Sequence, residues 1–87
     1  PNQTPSQALM GMIEELGELA HAQLKLEQNI RAMDVAKFME EATDAIGDLF
    51  IFTMGYCTNH GFDLERIIEE TWEHVKQRDW RARPDTG

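Results

Sequence analysis

Proline occurs at positions 1, 5 and 84 and nowhere between. The interior of the chain therefore lacks the one residue that reliably ends a helix. It also lacks any stretch that alternates apolar and polar residues with the period of two that a half-buried strand requires. The chain is predicted to be all-α, a compact bundle of three main helices, with a break in the middle one left open. Thr4-Pro5-Ser6-Gln7 reads as a helix start, with Thr4 as N-cap, Pro5 in the first helical position and Gln7 reaching back as in a capping box. Leu9, Ile13, Leu16, Ala20 and Leu24 then recur at helical spacing, and Met12, Leu19 and Leu26 widen that stripe, to about Glu27. Residues 28–33 break the period and read as a loop, with Ile30 or Met33 tucked back onto the core. Asp34 is placed to cap a second helix that runs to about His60, where Gly61 supplies a left-handed stop. Asp63 caps a third, whose apolar face is Leu64, Ile67, Ile68, Thr71, Trp72 and Val75.

Length makes this one domain, residues 1–87, with 1–4 and 81–87 expected to fray. A start at Pro1 leaves room for further residues ahead of it. A chain this short is marginal alone. With Cys57 as its single cysteine it has no internal disulfide, so homo-oligomerisation is the expected remedy. Cys57 lies in an apolar stretch and is expected to pack as a small hydrophobe. A lone buried thiol fits a reducing, cytoplasmic setting. The apolar run from Leu49 to Cys57 is too short to span a bilayer. The net charge of -8 argues against binding to a nucleic-acid polymer, which requires a basic surface. It leaves a small nucleotide ligand open, because a bound cation inverts the local sign of an acidic pocket.

Two acidic clusters stand out. One is Glu14-Glu15-Leu16-Gly17-Glu18; the other is Glu41-Ala42-Thr43-Asp44, with Asp48 a turn later. At about 100° per residue, Lys37, Glu41, Asp44, Asp48 and Asn59 share a narrow sector of the second helix, while nearly every other direction is apolar. Such a helix is expected to be buried, against its own chain or a partner subunit, which would carry the acid stripe into a crowded interior. There carboxylates cost several kcal/mol each unless paired or metal-bound. If the Met12/Leu19/Leu26 edge packs on this helix, Glu15 and Glu18 face Asp44 and Asp48. Four carboxylates from two helices suit a hard cation such as Mg²⁺ or Mn²⁺.

Glu14 to Glu18 matches the EExxE element of the MazG-like all-α nucleoside triphosphate pyrophosphohydrolases, and Glu41 to Asp44 fits the spacing of that family's second element, ExxD. The family's aspartate usually precedes an apolar run, which here is Asp48-Leu49-Phe50-Ile51-Phe52. Under that alignment Ala45 stands where glutamate is expected, and Asp44 supplies an acid one residue earlier. Gly61-Phe62-Asp63-Leu64 and Val75-Lys76-Gln77-Arg78-Asp79-Trp80 also resemble the family's last helix, so the similarity runs from about Leu9 to Trp80. The resemblance implies Mg²⁺-dependent hydrolysis of a (d)NTP to the monophosphate and pyrophosphate, as in clearing unwanted nucleotides. It further implies metal ligands at Glu15, Glu18, Asp44 and Asp48, with Glu41 as neighbour or alternate. Glu14 or Glu41 would orient or deprotonate the water. Lys76 and Arg78 would contact phosphates, and the protein would be a homodimer or dimer of dimers.

Each feature has a plainer reading. Glutamates on a helix are often only solvated, Asp44 and Asp48 can pair with Lys37, and Lys76 and Arg78 can offset a helix dipole. His21 reads as a surface histidine, Trp72 as core and Trp80 as a packing or interface residue. Taken together these describe a non-catalytic helical dimerisation module. A di-iron carboxylate bundle is a further alternative, resting on Glu18-Leu19-Ala20-His21. It needs a second Glu-x-x-His on another helix, and the Glu70/His74 pair has the wrong spacing.

Overall fold

In this computed structural model, residues 3–28 and 35–82 are described, the side chains of 80–82 aside. The helices are α1 (Pro5–Gln28), α2 (Val35–His60) and α3 (Leu64–Ala82), and the described residues include no strand. The all-α expectation holds, and α2 is continuous. The expected loop over 28–33, its tucked apolar residues and the Asp34 cap fall largely or wholly outside the described residues, as do the ends at 1–2 and 83–87.

Local chemistry fixes the helix ends. The Thr4 N–H donates to Gln7 Oε1 at 2.9 Å and the Gln7 N–H donates to Thr4 Oγ1 at 3.1 Å, a reciprocal capping box in front of Pro5. At the same end of the hairpin, where α2 stops, Gly61 takes φ +71°. Its N–H donates to the Thr58 carbonyl at 3.2 Å and the Phe62 N–H to the Cys57 carbonyl at 2.9 Å, the paired bonds of a Schellman stop. The Tyr56, His60 and Phe62 rings gather over this turn, with His60 and Phe62 stacked at 5.3 Å. The Arg66 N–H donates to Asp63 Oδ1 at 3.1 Å, so Asp63 caps α3.

The α1–α2 pair is the packed unit, and α3 lies mostly off it. The two helices run antiparallel: Asn59 Nδ2 donates to the Gln3 carbonyl at 3.0 Å at one end, and Glu15 and Asp48 are neighbours further along. The residues sealed in the seam are all small, namely Ala8, Gly11 and Ala22 on α1 and Ala42, Ala45 and Cys57 on α2. Cys57 is thus the small buried hydrophobe expected. Small residues let the two backbones approach closely, and the Phe52 ring packs directly against Gly11.

Three apolar faces are open within this chain. The Leu9/Ile13/Leu16/Leu24 stripe faces outward, and the Met12/Leu19/Leu26 edge is the more enclosed one. On α2, Ile46, Phe50, Ile51 and Met54 remain open, so the helix's own chain does not enclose the acid stripe. Trp72 is 55% exposed, with Ile67 and Ile68 beside it also open, and so is not core within this chain. The cause is common to all three: α3 does not cover the outer faces of the hairpin. The radius of gyration, 17.1 Å, accordingly exceeds the roughly 12 Å of a closed globule of this length.

Candidate functional site

The α1 seam residues follow a three- and four-residue spacing through positions 8, 11, 15, 18, 22 and 25, which keeps them on one helix face. That register brings Glu15 and Glu18 against α2, where Glu41, Asp44 and Asp48 recur at the same spacing. Between them is a cleft of about 390 Å³ lined by Glu15, Glu18, His21, Ala22, Lys25, Glu41, Asp44, Ala45 and Asp48. Ala22 and Ala45 are 4% and 3% exposed and form its floor; the carboxylates stand around the rim. An acid at position 45, where the family motif has glutamate, would be driven into the seam. Asp44 and Glu41, one and four residues before that position, both reach the cleft instead.

The acids perturb one another. The Glu15 carboxyl is held above the ordinary carboxylate range, first by its partial enclosure between the helices, then by the charge of Glu18 and a hydrogen bond with it, and then by Asp48 and Glu14. Asp48 comes from the opposite helix, so the shift reports proximity across the seam as well as along it. Lys25 is half-buried at the end of the cleft toward the C-terminus of α1, and no ion pair or hydrogen bond holds it among the described residues.

Five of the eight sequence candidates therefore share one cleft: Glu15, Glu18, Glu41, Asp44 and Asp48. Glu14 is exposed and outside the lining, though close enough to raise Glu15. Lys76 and Arg78 lie on α3, away from the cleft lining, and Lys76 Nζ meets Glu73 at 3.0 Å and hangs 5.9 Å over the Trp72 ring. His21, read from the sequence as a surface residue, is exposed but lines the cleft. Lys25 escaped the sequence reading altogether. Its signal was its place seven residues after Glu18, which at 3.6 residues per turn is the same face.

Chemically, the donor set fits a hard divalent cation: it is made of carboxylate oxygens, supplied by two rigid helices and crowded enough to raise one pKa. Among the described residues no three His, Cys, Asp or Glu side chains already converge tightly enough to hold an ion. The acids share the cleft in an open arrangement. None of the described helices is long and apolar enough to cross a membrane.

A sequence model of the phosphoribosyl-ATP pyrophosphohydrolase family matches residues 3–75. That family lies within the MazG-like all-α nucleoside triphosphate pyrophosphohydrolase superfamily. No curated protein and no solved structure matches the chain.

Proposed function

The chain belongs to the phosphoribosyl-ATP pyrophosphohydrolase family and is a hydrolase acting on phosphoric anhydrides, and from that premise we propose that its α1–α2 cleft splits pyrophosphate from a phosphoribosyl-ATP-type nucleotide. One observation supports this reading above the others: five carboxylates from two helices line one cleft. A solvated acidic face would not gather acids from separate helices around a common floor.

Glu15, Glu18, Asp44 and Asp48 are the residues to hold divalent metal, Mg²⁺ first and Mn²⁺ as substitute. The metal would neutralise phosphate charge and lower the pKa of water. The rest falls to the side chains. Glu41, on the cleft, is better placed than Glu14 to orient water and accept its proton. The water oxygen forms a bond to the α phosphorus while the bond from that phosphorus to the α–β bridging oxygen breaks. Pyrophosphate leaves with that electron pair, and the monophosphate remains. Little covalent chemistry is asked of the protein, so positioning and charge stabilisation carry the rate.

The open apolar faces of α2 and α3 support a homodimer or dimer of dimers, which would cover Ile46, Phe50, Ile67 and Trp72. Lys76 and Arg78 would approach phosphate only in such an assembly, since they do not line the cleft of their own chain. The single buried thiol fits a cytoplasmic setting.

The test is release of pyrophosphate, as opposed to phosphate, from phosphoribosyl-ATP with Mg²⁺, run beside a panel of (d)NTPs. Pyrophosphate from phosphoribosyl-ATP alone establishes the proposed substrate. Pyrophosphate from a (d)NTP alone keeps the chemistry and replaces the substrate. No pyrophosphate from any member of the panel overturns the reading.

A further inference from the structure

Lys25 is the one lysine or arginine among the described residues that line the cleft, and holding the acids in place does not explain its position. The cleft wall contains Glu15, Glu18, Glu41, Asp44 and Asp48, yet Lys25 forms no ion pair with any of them. Arg66 and Lys76 both have carboxylate partners, on a helix away from the cleft. Lys25 thus shares the cleft with several carboxylates and is ion-paired with none of them. It is left with donors for something that enters the cleft.

Its position is also informative. Lys25 follows Glu18 by seven residues, about 10 Å along the helix axis. It therefore stands beyond the acids, at one end of the cleft, where it does not compete with a cation seated among Glu15, Glu18, Asp44 and Asp48. A triphosphate is longer than a single metal site and carries charge beyond it. A polyanion lying in an acid-rimmed cleft needs a fixed cation where the metal-holding acids end.

We propose that Lys25 is a substrate-binding residue that holds the outer, pyrophosphate-forming phosphates and so sets the direction in which the nucleotide lies in the cleft. The proposal rests on the reading of the cleft as the pyrophosphohydrolase site. It orients the triphosphate with its α phosphorus beside Glu41 and the acids and its terminal phosphates toward the C-terminus of α1. The alternative for Lys25 is an offset to the C-terminal dipole of α1, since it lies in the last turn. That role acts on stability and leaves ligand affinity alone.

The experiment compares wild type, Lys25→Ala and Lys25→Arg in three measurements: KM and kcat for the substrate on which wild type is active, the Kd of inorganic pyrophosphate by calorimetry with Mg²⁺, and the melting temperature. Lys25→Ala is expected to raise KM and the pyrophosphate Kd about tenfold, equivalent to about 1.4 kcal/mol, with kcat within about twofold. Lys25→Arg is expected to restore most of the affinity because the cation is retained. If Lys25→Ala lowers the melting temperature but leaves KM and pyrophosphate affinity within twofold, Lys25 serves the helix dipole and the proposal is overturned. If wild type itself releases no pyrophosphate from any nucleotide, the site reading has failed, a result separate from any effect of Lys25.

Discussion

A Cβ on residue 11 would stand 2.6 Å from the ring carbons of Phe52. No real Cβ is so close to a carbon, so the glycine is what lets the ring pack against α1 here. The approach also helps set the spacing of α1 and α2 one turn before Glu15. Gly11→Ala should therefore destabilise the fold by about 1–3 kcal/mol through overpacking, even though alanine is the better helix former by about 1 kcal/mol. Phe52→Leu in the same chain should recover much of the loss. Urea denaturation at fixed protein concentration measures both. A Gly11→Ala protein at least as stable as wild type would mean that Phe52 turns aside at no cost.

Gly61 offers a second test of backbone logic. Its φ of +71° is a conformation in which a Cβ crowds the following carbonyl, and nothing else stands within 4 Å of the place a Cβ would occupy. Gly61→Ala is thus a change in backbone strain alone, expected to cost about 1–2 kcal/mol. Gly61→Asn should cost less, since asparagine tolerates this region better. Thermal melts of the two variants should rank them in that order.

The sequence disclosed the ends of the helices more fully than their packing. Thr4, Gln7, Gly61 and Asp63 act through neighbours three to five residues away, so their roles were legible from local order, and each is observed. The choice between two apolar edges of α1 was harder. Leu9, Ile13, Leu16 and Leu24 form the more hydrophobic stripe, but the seam runs through Ala8, Gly11 and Ala22, where small size permits approach. Periodicity reports which residues share a face and is silent on which face a partner of small side chains will prefer. The acids were legible because helical spacing constrained both clusters and the Met12/Leu19/Leu26 edge carried Glu15 with it. Lys25 was missed because attention to like charges passes over the one opposite charge on the same face. The exposed Ile67, Ile68 and Trp72 show the remaining limit: an apolar face announces that it will be covered without saying by which chain.

Glu15 gives the cleft a pH signature. Its carboxyl is raised above its unfolded value by partial enclosure and by Glu18, Asp48 and Glu14. The folded protein therefore binds this proton more tightly than the unfolded one does. Its contribution favours folding at acid pH and is lost as pH rises from the ordinary carboxylate value through the raised one. Glu15→Gln should flatten that part of the stability curve. It should also make the metal-free protein no less stable, and slightly more so, at neutral pH, where the charged cluster repels itself. Chemical denaturation across pH 4–8 (roughly the span over which a raised carboxylate titrates), without divalent metal, measures the difference between the two proteins. Parallel curves would mean that Glu15 is not linked to folding.

Glu18 and Asp48 stand on opposite helices of the cleft, and their substitution separates folding from function. Glu18→Gln and Asp48→Asn keep side-chain volume and remove one negative charge each, from positions already exposed. Neither should unfold the protein, and relief of repulsion should leave the melting temperature equal or higher. Mg²⁺ should raise the wild-type melting temperature, because an ion that binds the native state selectively stabilises it. That rise should shrink in both variants and vanish with a chelator. Pyrophosphate release should fall by roughly 10²-fold or more in each, as when a group that stabilises transition-state charge is removed. The two substitutions together should cost far less than the product of the single losses, because residues that act as one unit are not additive. Calorimetry of Mg²⁺ binding beside the activity assay checks this. Variants that lose activity while binding Mg²⁺ as wild type does would assign Glu18 and Asp48 to the substrate or to water, and the metal to other acids of the cleft.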